Sequence, residues 1–168
     1  ILAIVVTPST DDEGDAVSYT YAWSRDGVDV GISSASVTAS ETAKGQVWTV
    51  SVAGSDAMST GPAGTASVEI LNTPPTAPSV SISPAEPIVG VDDIICGIDI
   101  GSFDVDGDLV SYAITWAVDG VPYTEAITTT RTGDTISAVE TNGDEEWTCT
   151  VTPNDGEDDG PVGTATVT

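Results

Sequence analysis

The sequence predicts an all-β chain made of two tandem sandwich modules. Three observations predict it. Three separated blocks of sequence repeat in the same order along the 168 residues. Apolar residues inside each block recur at every second position, the period of a half-buried strand. Asp-Gly, Asn and Pro signals punctuate the runs at the spacing of short strands and turns, and no window shows a convincing 3.6-residue helical period.

The repeat comes first. The run DDEGDAVSYTYAWSRDGV at 11–28 matches DVDGDLVSYAITWAVDGV at 104–121, with Trp23 and Trp116 93 positions apart. TAKGQVWTVSV at 42–52 matches TNGDEEWTCTV at 141–151, and GPAGTASV at 61–68 matches GPVGTATV at 160–167, both at an offset of 99. The second copy therefore carries six extra residues between Val121 and Thr141. Extended backwards, the first offset pairs Ile1 with Ile94, and the second copy has a further strand-like run before that point, SVSIS at 79–83. The first copy has no counterpart. The expected division is a first repeat over 1–71 that begins at its second strand, a Pro-rich extended linker over 72–78, and a second repeat over 79–168. An open sheet edge is expected in the first repeat, to be filled by upstream sequence or by a strand from a neighbouring subunit.

Individual strands follow from the period of two. Val110, Tyr112, Ile114, Trp116 and Val118 alternate with small and polar residues, as do Val17, Tyr19, Tyr21 and Trp23. Asp26-Gly27 and Asp119-Gly120 end these runs with the preferred pair for a two-residue hairpin turn. Trp147, Cys149 and Val151 alternate with threonines, and Trp48, Val50 and Val52 repeat the pattern. Ile94, Cys96, Ile98 and Ile100 are expected on one face of another strand. All four Trp fall in the inward phase and so read as core; Phe103 and Tyr123 remain as exposed aromatics. Seven or so short strands in about 90 residues indicate a β-sandwich.

Cys96 lies on the second strand of its repeat and Cys149 on the penultimate one, with Trp116 between them, the immunoglobulin-type order across facing sheets. In the first copy both positions change together, to Ala3 and Val50, as expected of a bonded pair. Two buried thiols are the alternative. A persistent disulfide implies an oxidising compartment and export.

The runs DVDGDLVSYAITWAVDG and WTCTVTPNDG and the linker NTPPTAP resemble the tandem immunoglobulin-like repeats of large bacterial surface and secreted proteins, and are also similar to polycystic-kidney-disease-type and cadherin-like modules. The resemblance implies stalks, spacers, adhesins or fibre subunits. The first copy departs from it in lacking the Cys pair and the first strand, and in having VAGSDAMSTG where the second has VTPNDGEDDG.

Charge supplies the one candidate chemical site. The sequence holds 27 acidic and 3 basic residues, no His, and a formal net charge of −24. That excludes a nucleic-acid footprint, attraction to anionic membranes, and catalysis by a His base; no run approaches the roughly 18 apolar residues of a membrane helix. The run Ile1–Val6 is too short for a signal peptide, and targeting information is expected outside residues 1–168. Asp104, Asp106 and Asp108 form D-x-D-G-D in the loop between the second and third strands; Asp11, Asp12, Glu13 and Asp15 occupy it in the first copy. Clustered carboxylates on a tight Gly-containing loop suit calcium, which takes six to eight oxygen ligands. In an immunoglobulin-type sandwich this loop lies at the same end as the one before the last strand, where Asn154, Asp155, Asp158 and Asp159 stand, with Asp56 alone in the first copy. The expected metal ligands are Asp104, Asp106, Asp108 and Asp155, and Asp11, Glu13, Asp15 and Asp56. A solvated acidic rim, or adaptation to high salt, is the competing explanation.

The functional expectation is a non-catalytic stalk, spacer or fibre subunit of an extracellular protein, stiffened by calcium and partnered by neighbouring repeats or identical subunits in a filament. An adhesin or carbohydrate-binding module, or an accessory domain of a secreted enzyme, is the alternative.

Overall fold

The computed structural model describes residues 1–56 and 58–168. Among the described residues, helix is confined to two three-residue 3₁₀ turns, Ala39–Glu41 and Ala138–Glu140, which stand at equivalent positions of the repeat. No helix among the described residues is long and apolar enough to cross a membrane. The chain divides into two compact units, Ile1–Asn72 and Thr73–Thr168.

Unit 2 is a seven-stranded antiparallel sandwich. Its strands are β5 (Ser79–Ser83), β6 (Ile94–Ile100), β7 (Ser111–Val118), β8 (Val121–Tyr123), β9 (Thr135–Ile136), β10 (Trp147–Asn154) and β11 (Gly163–Val167). One sheet has the order β11-β10-β7-β8 and the other β5-β6-β9. This four-plus-three arrangement makes unit 2 an immunoglobulin-like sandwich. Inward residues of both sheets meet in one core of Ile94, Cys96, Trp116, Ile136, Trp147, Cys149, Val151 and Val167. Cys96 and Cys149 form a disulfide between the sheets, with Cα atoms 6.2 Å apart.

Unit 1 repeats the larger sheet, with β1 (Ser18–Arg25), β2 (Val28–Asp29), β3 (Val47–Ser55) and β4 (Gly64–Glu69) in the order β2-β1-β3-β4. Its buried core is smaller: Trp23, Val37, Trp48 and Val50. The two repeats match in detail. Trp23 packs edge-on to Trp48 at 6.3 Å, as Trp116 does to Trp147 at 6.4 Å. The indole N–H of Trp23 donates to the Ser34 carbonyl and that of Trp116 to the equivalent Gly133 carbonyl. All four Trp are buried, as their phase predicts. The hairpin turns also match, with positive φ at Asp26 and Gly27 and at Asp119 and Gly120, as a type I′ turn requires.

The second sheet of unit 1 is rudimentary among the described residues. Ile1–Val6 follow the course of β6: Ala3 N–H donates to the Ala35 carbonyl as Cys96 N–H does to Asp134, and Val37 N–H donates to Ile1. Only an isolated bridge, Leu2 with Ser36, is formed. Among the described residues, no strand pairs with this segment as β5 pairs with β6.

Three expectations need correction. Ile100 does not share the buried face of Ile94 and Cys96; it is exposed, because the β5–β6 register shifts between Ser79 and Val80, where one step on β5 spans two on β6. Tyr123 is half-buried rather than exposed, with its ring edge-on to Trp147 at 5.0 Å. Burial, with Glu140 and Glu125 nearby, raises its hydroxyl pKa. Residues 73–78 are not a free linker: Pro75 and Pro78 are buried within unit 2, and Thr76 and Phe103 exchange hydrogen bonds.

Candidate functional site: the acidic loop ends

Short acidic side chains favour turns because they can bond the backbone two to four residues on. Each acidic loop is built on that principle. Asp104 Oδ1 accepts the N–H groups of Asp106 (2.9 Å) and Asp108 (3.1 Å), and Gly107 takes the positive φ of the turn. Asp11 does the same for Glu13 (2.9 Å) and Asp15 (3.0 Å). In the loops before the last strands, Asp155 Oδ1 accepts from Glu157 and Asp158, and Asp56 Oδ1 from Met58 and Ser59. The first acid of every loop is thus a structural cap.

The sheet register brings the loops together. Ser111 pairs with Asn154 at one end of β7 and β10, and Ser18 with Ser55 at the same end of β1 and β3. The loop 104–108 therefore lies beside 154–159, and 11–15 beside Asp56 and residues 58–60. In unit 1, Asp11 and Asp56 line one depression of about 240 Å³. The N–H groups of Ser59 and Met58 hold Asp56 below the ordinary carboxylate value against some burial, and the Ser59 hydroxyl also donates to it.

Unit 2 differs in burial. Asp104 is 7% and Asp155 8% exposed, whereas Asp11 and Asp56 are half-buried. Asp104 Oδ2 is fully buried and meets no hydrogen-bond donor. A carboxylate oxygen in that position is costly unless a positive group or water reaches it. Asp106 turns toward the segment before β5, its Oδ2 accepting the Thr73 N–H at 2.8 Å. Glu13 and Asp15 are exposed. Among the described residues, no group of three or more Asp, Glu, Cys or His side chains is disposed to hold a metal ion. The backbone caps engage one oxygen of each leading Asp, and Asp104 Oδ2, buried without a donor, is what the unit 2 loop offers a cation.

One acidic residue escaped the sequence reading. Asp134 is 1% exposed and accepts the N–H groups of Thr129 (2.8 Å), Thr130 (2.9 Å) and Arg131 (2.7 Å) and the hydroxyl of Thr135 (2.8 Å). Burial pushes its pKa up, but these donors together outweigh burial and bring it down to about 2. It ties the 128–134 loop to β9. The equivalent position in unit 1 is Ala35, and the only signal in the sequence is its place in the stretch that holds the six-residue insertion.

No protein-family profile matches the chain, and neither does any curated protein. Among solved structures, it is similar to the chicken CNTN1 FN1–FN3 domains at 14% identity and a TM-score of 0.33, over 92% of this chain and 56% of that one. The chain thus spans about half of the length it is compared with. The fold assignment rests on the chain's own strand order, core and disulfide.

Proposed function

We propose that the chain is a non-catalytic structural part of an extracellular protein, two repeats of a stalk, spacer or fibre of the bacterial polycystic-kidney-disease-type or cadherin-like kind, with calcium held at its acidic loop ends. The observation that carries the calcium reading is the buried Asp104 Oδ2 without a donor, in a loop set beside the Asp155 loop. Asp104, Asp106, Asp108 and Asp155 would have to close around the ion in unit 2, and Asp11, Glu13, Asp15 and Asp56 in unit 1, since neither set is gathered to hold a metal as it stands. A bound divalent ion would supply positive charge to facing carboxylates in a chain of net charge −24 and so stiffen the loop end. The disulfide supports an oxidising, extracellular setting. Two core-forming repeats with burial devoted to packing suit a mechanical role. The sugar-binding alternative needs an aromatic platform, and all four Trp are buried. Partners in this reading are neighbouring repeats or identical subunits in a filament.

The test is a pair of melting curves at low ionic strength, one in calcium and one in chelator. Saturating calcium should raise the melting temperature of unit 2 by about 10 °C or more, since ligand at 100-fold its dissociation constant adds roughly 2.7 kcal/mol. Identical curves would sink the calcium reading and leave a solvated acidic rim.

A further inference from the structure

The sequence holds three asparagines, Asn72, Asn142 and Asn154, and only Asn142 precedes a glycine. An Asn-Gly pair loses the side-chain amide readily, because glycine lets the backbone bring the next nitrogen onto the side-chain carbonyl carbon. The fold decides whether that reactivity is kept. Asn142, Gly143 and Asp144 are all exposed, in the turn that leads from Ala138–Glu140 into β10. A Cβ at Gly143 would meet nothing within 4 Å, and the Gly143 N–H has no acceptor among the described residues. The nitrogens that follow the other two asparagines are engaged. Thr73 N–H donates to Asp106 Oδ2 at 2.8 Å, and Asp155 N–H to the Asp158 carbonyl at 3.3 Å.

The same turn carries a clamp on the core. Glu145 accepts the backbone N–H and the Nδ2–H of Asn142, both at 2.8 Å, and the indole N–H of buried Trp147 at 3.2 Å. These donors, the Asn142 amide foremost, hold Glu145 below the ordinary carboxylate value, so it is ionised at neutral pH. Unit 1 builds the clamp with no asparagine and no charge. There Gln46 accepts the Ala43 N–H at 2.9 Å and the indole N–H of Trp48 at 3.0 Å. The turn itself therefore does not require Asn142.

We propose that Asn142 is a self-modification site, converting to aspartate and isoaspartate and so loosening the entry to β10 in unit 2 alone. The Gly143 nitrogen gives up its proton to solvent and bonds to Asn142 Cγ. The Cγ–Nδ2 bond breaks, and Nδ2 takes up a proton and leaves as ammonia, closing a five-membered succinimide. Water then opens the ring at either carbonyl. Both products set a second carboxylate near ionised Glu145 and take away its Nδ2–H donor. Like charges at that distance repel, and the acceptor of the Trp147 indole is disturbed. Isoaspartate also lengthens the backbone of the turn. This chemistry is independent of whether calcium binds the loops at the other end of β10.

The test incubates the full chain in mildly alkaline buffer, folded and in urea, and follows each asparagine by mass spectrometry with fragment sequencing. In the folded chain Asn142 should convert at least tenfold faster than Asn72 or Asn154, with isoaspartate among the products. A folded chain that keeps Asn142 intact after the unfolded chain has converted it overturns the assignment, as does faster conversion at either of the other two. In a second arm, Asn142→Asp should lower the melting temperature of unit 2 by about 4 °C or more at neutral pH. Adding Glu145→Gln should restore it, since the neutral residue already serves in unit 1. An unchanged melting temperature in Asn142→Asp, or a loss that Glu145→Gln does not relieve, overturns the proposed consequence.

Discussion

Replacing Asp134 by Asn should destabilise unit 2 by an amount that vanishes in acid. The carboxylate is buried and accepts three backbone N–H groups and one hydroxyl. Its pKa is about 2 in the folded protein against 3.8 for the free group. At about 1.4 kcal/mol per pKa unit, that difference contributes about 2 kcal/mol of stability from charge alone. Asn preserves the shape but loses the charge and offers only one acceptor oxygen, so a loss of about 2 kcal/mol is expected at pH 7. Because the folded-state pKa is depressed, the contribution is complete above about pH 4 to 5. It falls as pH drops through 4 and is gone near pH 2. Urea denaturation of the wild type and Asp134→Asn, compared at each pH from 7 to 2, isolates this term because all other carboxylates titrate alike in both proteins. A difference that stays constant down to pH 2, or no difference at pH 7, would refute the reasoning.

Three further outcomes follow from the same structure. The Cys96–Cys149 bond closes a 53-residue separation; by loop-closure entropy its removal in a Cys96→Ala, Cys149→Val variant should cost unit 2 up to about 4 kcal/mol, read by denaturant midpoint. The residues that unit 1 uses at these positions supply the replacements, and alkylation of the denatured, unreduced protein should find no free thiol. Gly163→Val should drive a side chain into Val80 and the Pro78 carbonyl and cost unit 2 about 3 kcal/mol or more. Gly64→Val should leave unit 1 folded and unchanged or up to about 1 kcal/mol more stable, since a strand position gains a β-branched residue in open space.

Much of the fold was legible because the strand period encodes burial directly. Trp23, Trp48, Trp116, Trp147, Cys96 and Cys149 all lie on the faces that their alternation assigns. The repeat offsets of 93 and 99 reappear as matched hydrogen bonds at Ala3 and Cys96 and at Trp23 and Trp116. What was not legible depends on long-range geometry. Ile100 keeps the sequence period, but the register shift near Ser79 puts it outside. Residues 73–78 have linker composition, yet Gly160 and Gly163, over 80 positions away, leave the space that seats Pro75 and Pro78. The acids of the loops were found by clustering, but composition does not carry which oxygens cap a turn, as Asp104 Oδ1 does, and which is buried without a donor, as its Oδ2 is. Asp134 lies in a run of Thr, Arg and Gly that reads as an ordinary polar loop; only the fold of that loop surrounds it with donors.

The calcium claim is tested most directly by titrating calcium into the labelled chain and following every backbone amide. A cation held by the paired loops should shift residues 102–108 and 154–160 first and saturably, and Asp104→Asn should abolish those shifts in unit 2 while leaving its other amides in place. Shifts spread evenly over the acidic surface, without saturation and unchanged by Asp104→Asn, would mean a diffuse counterion cloud and would contradict the account.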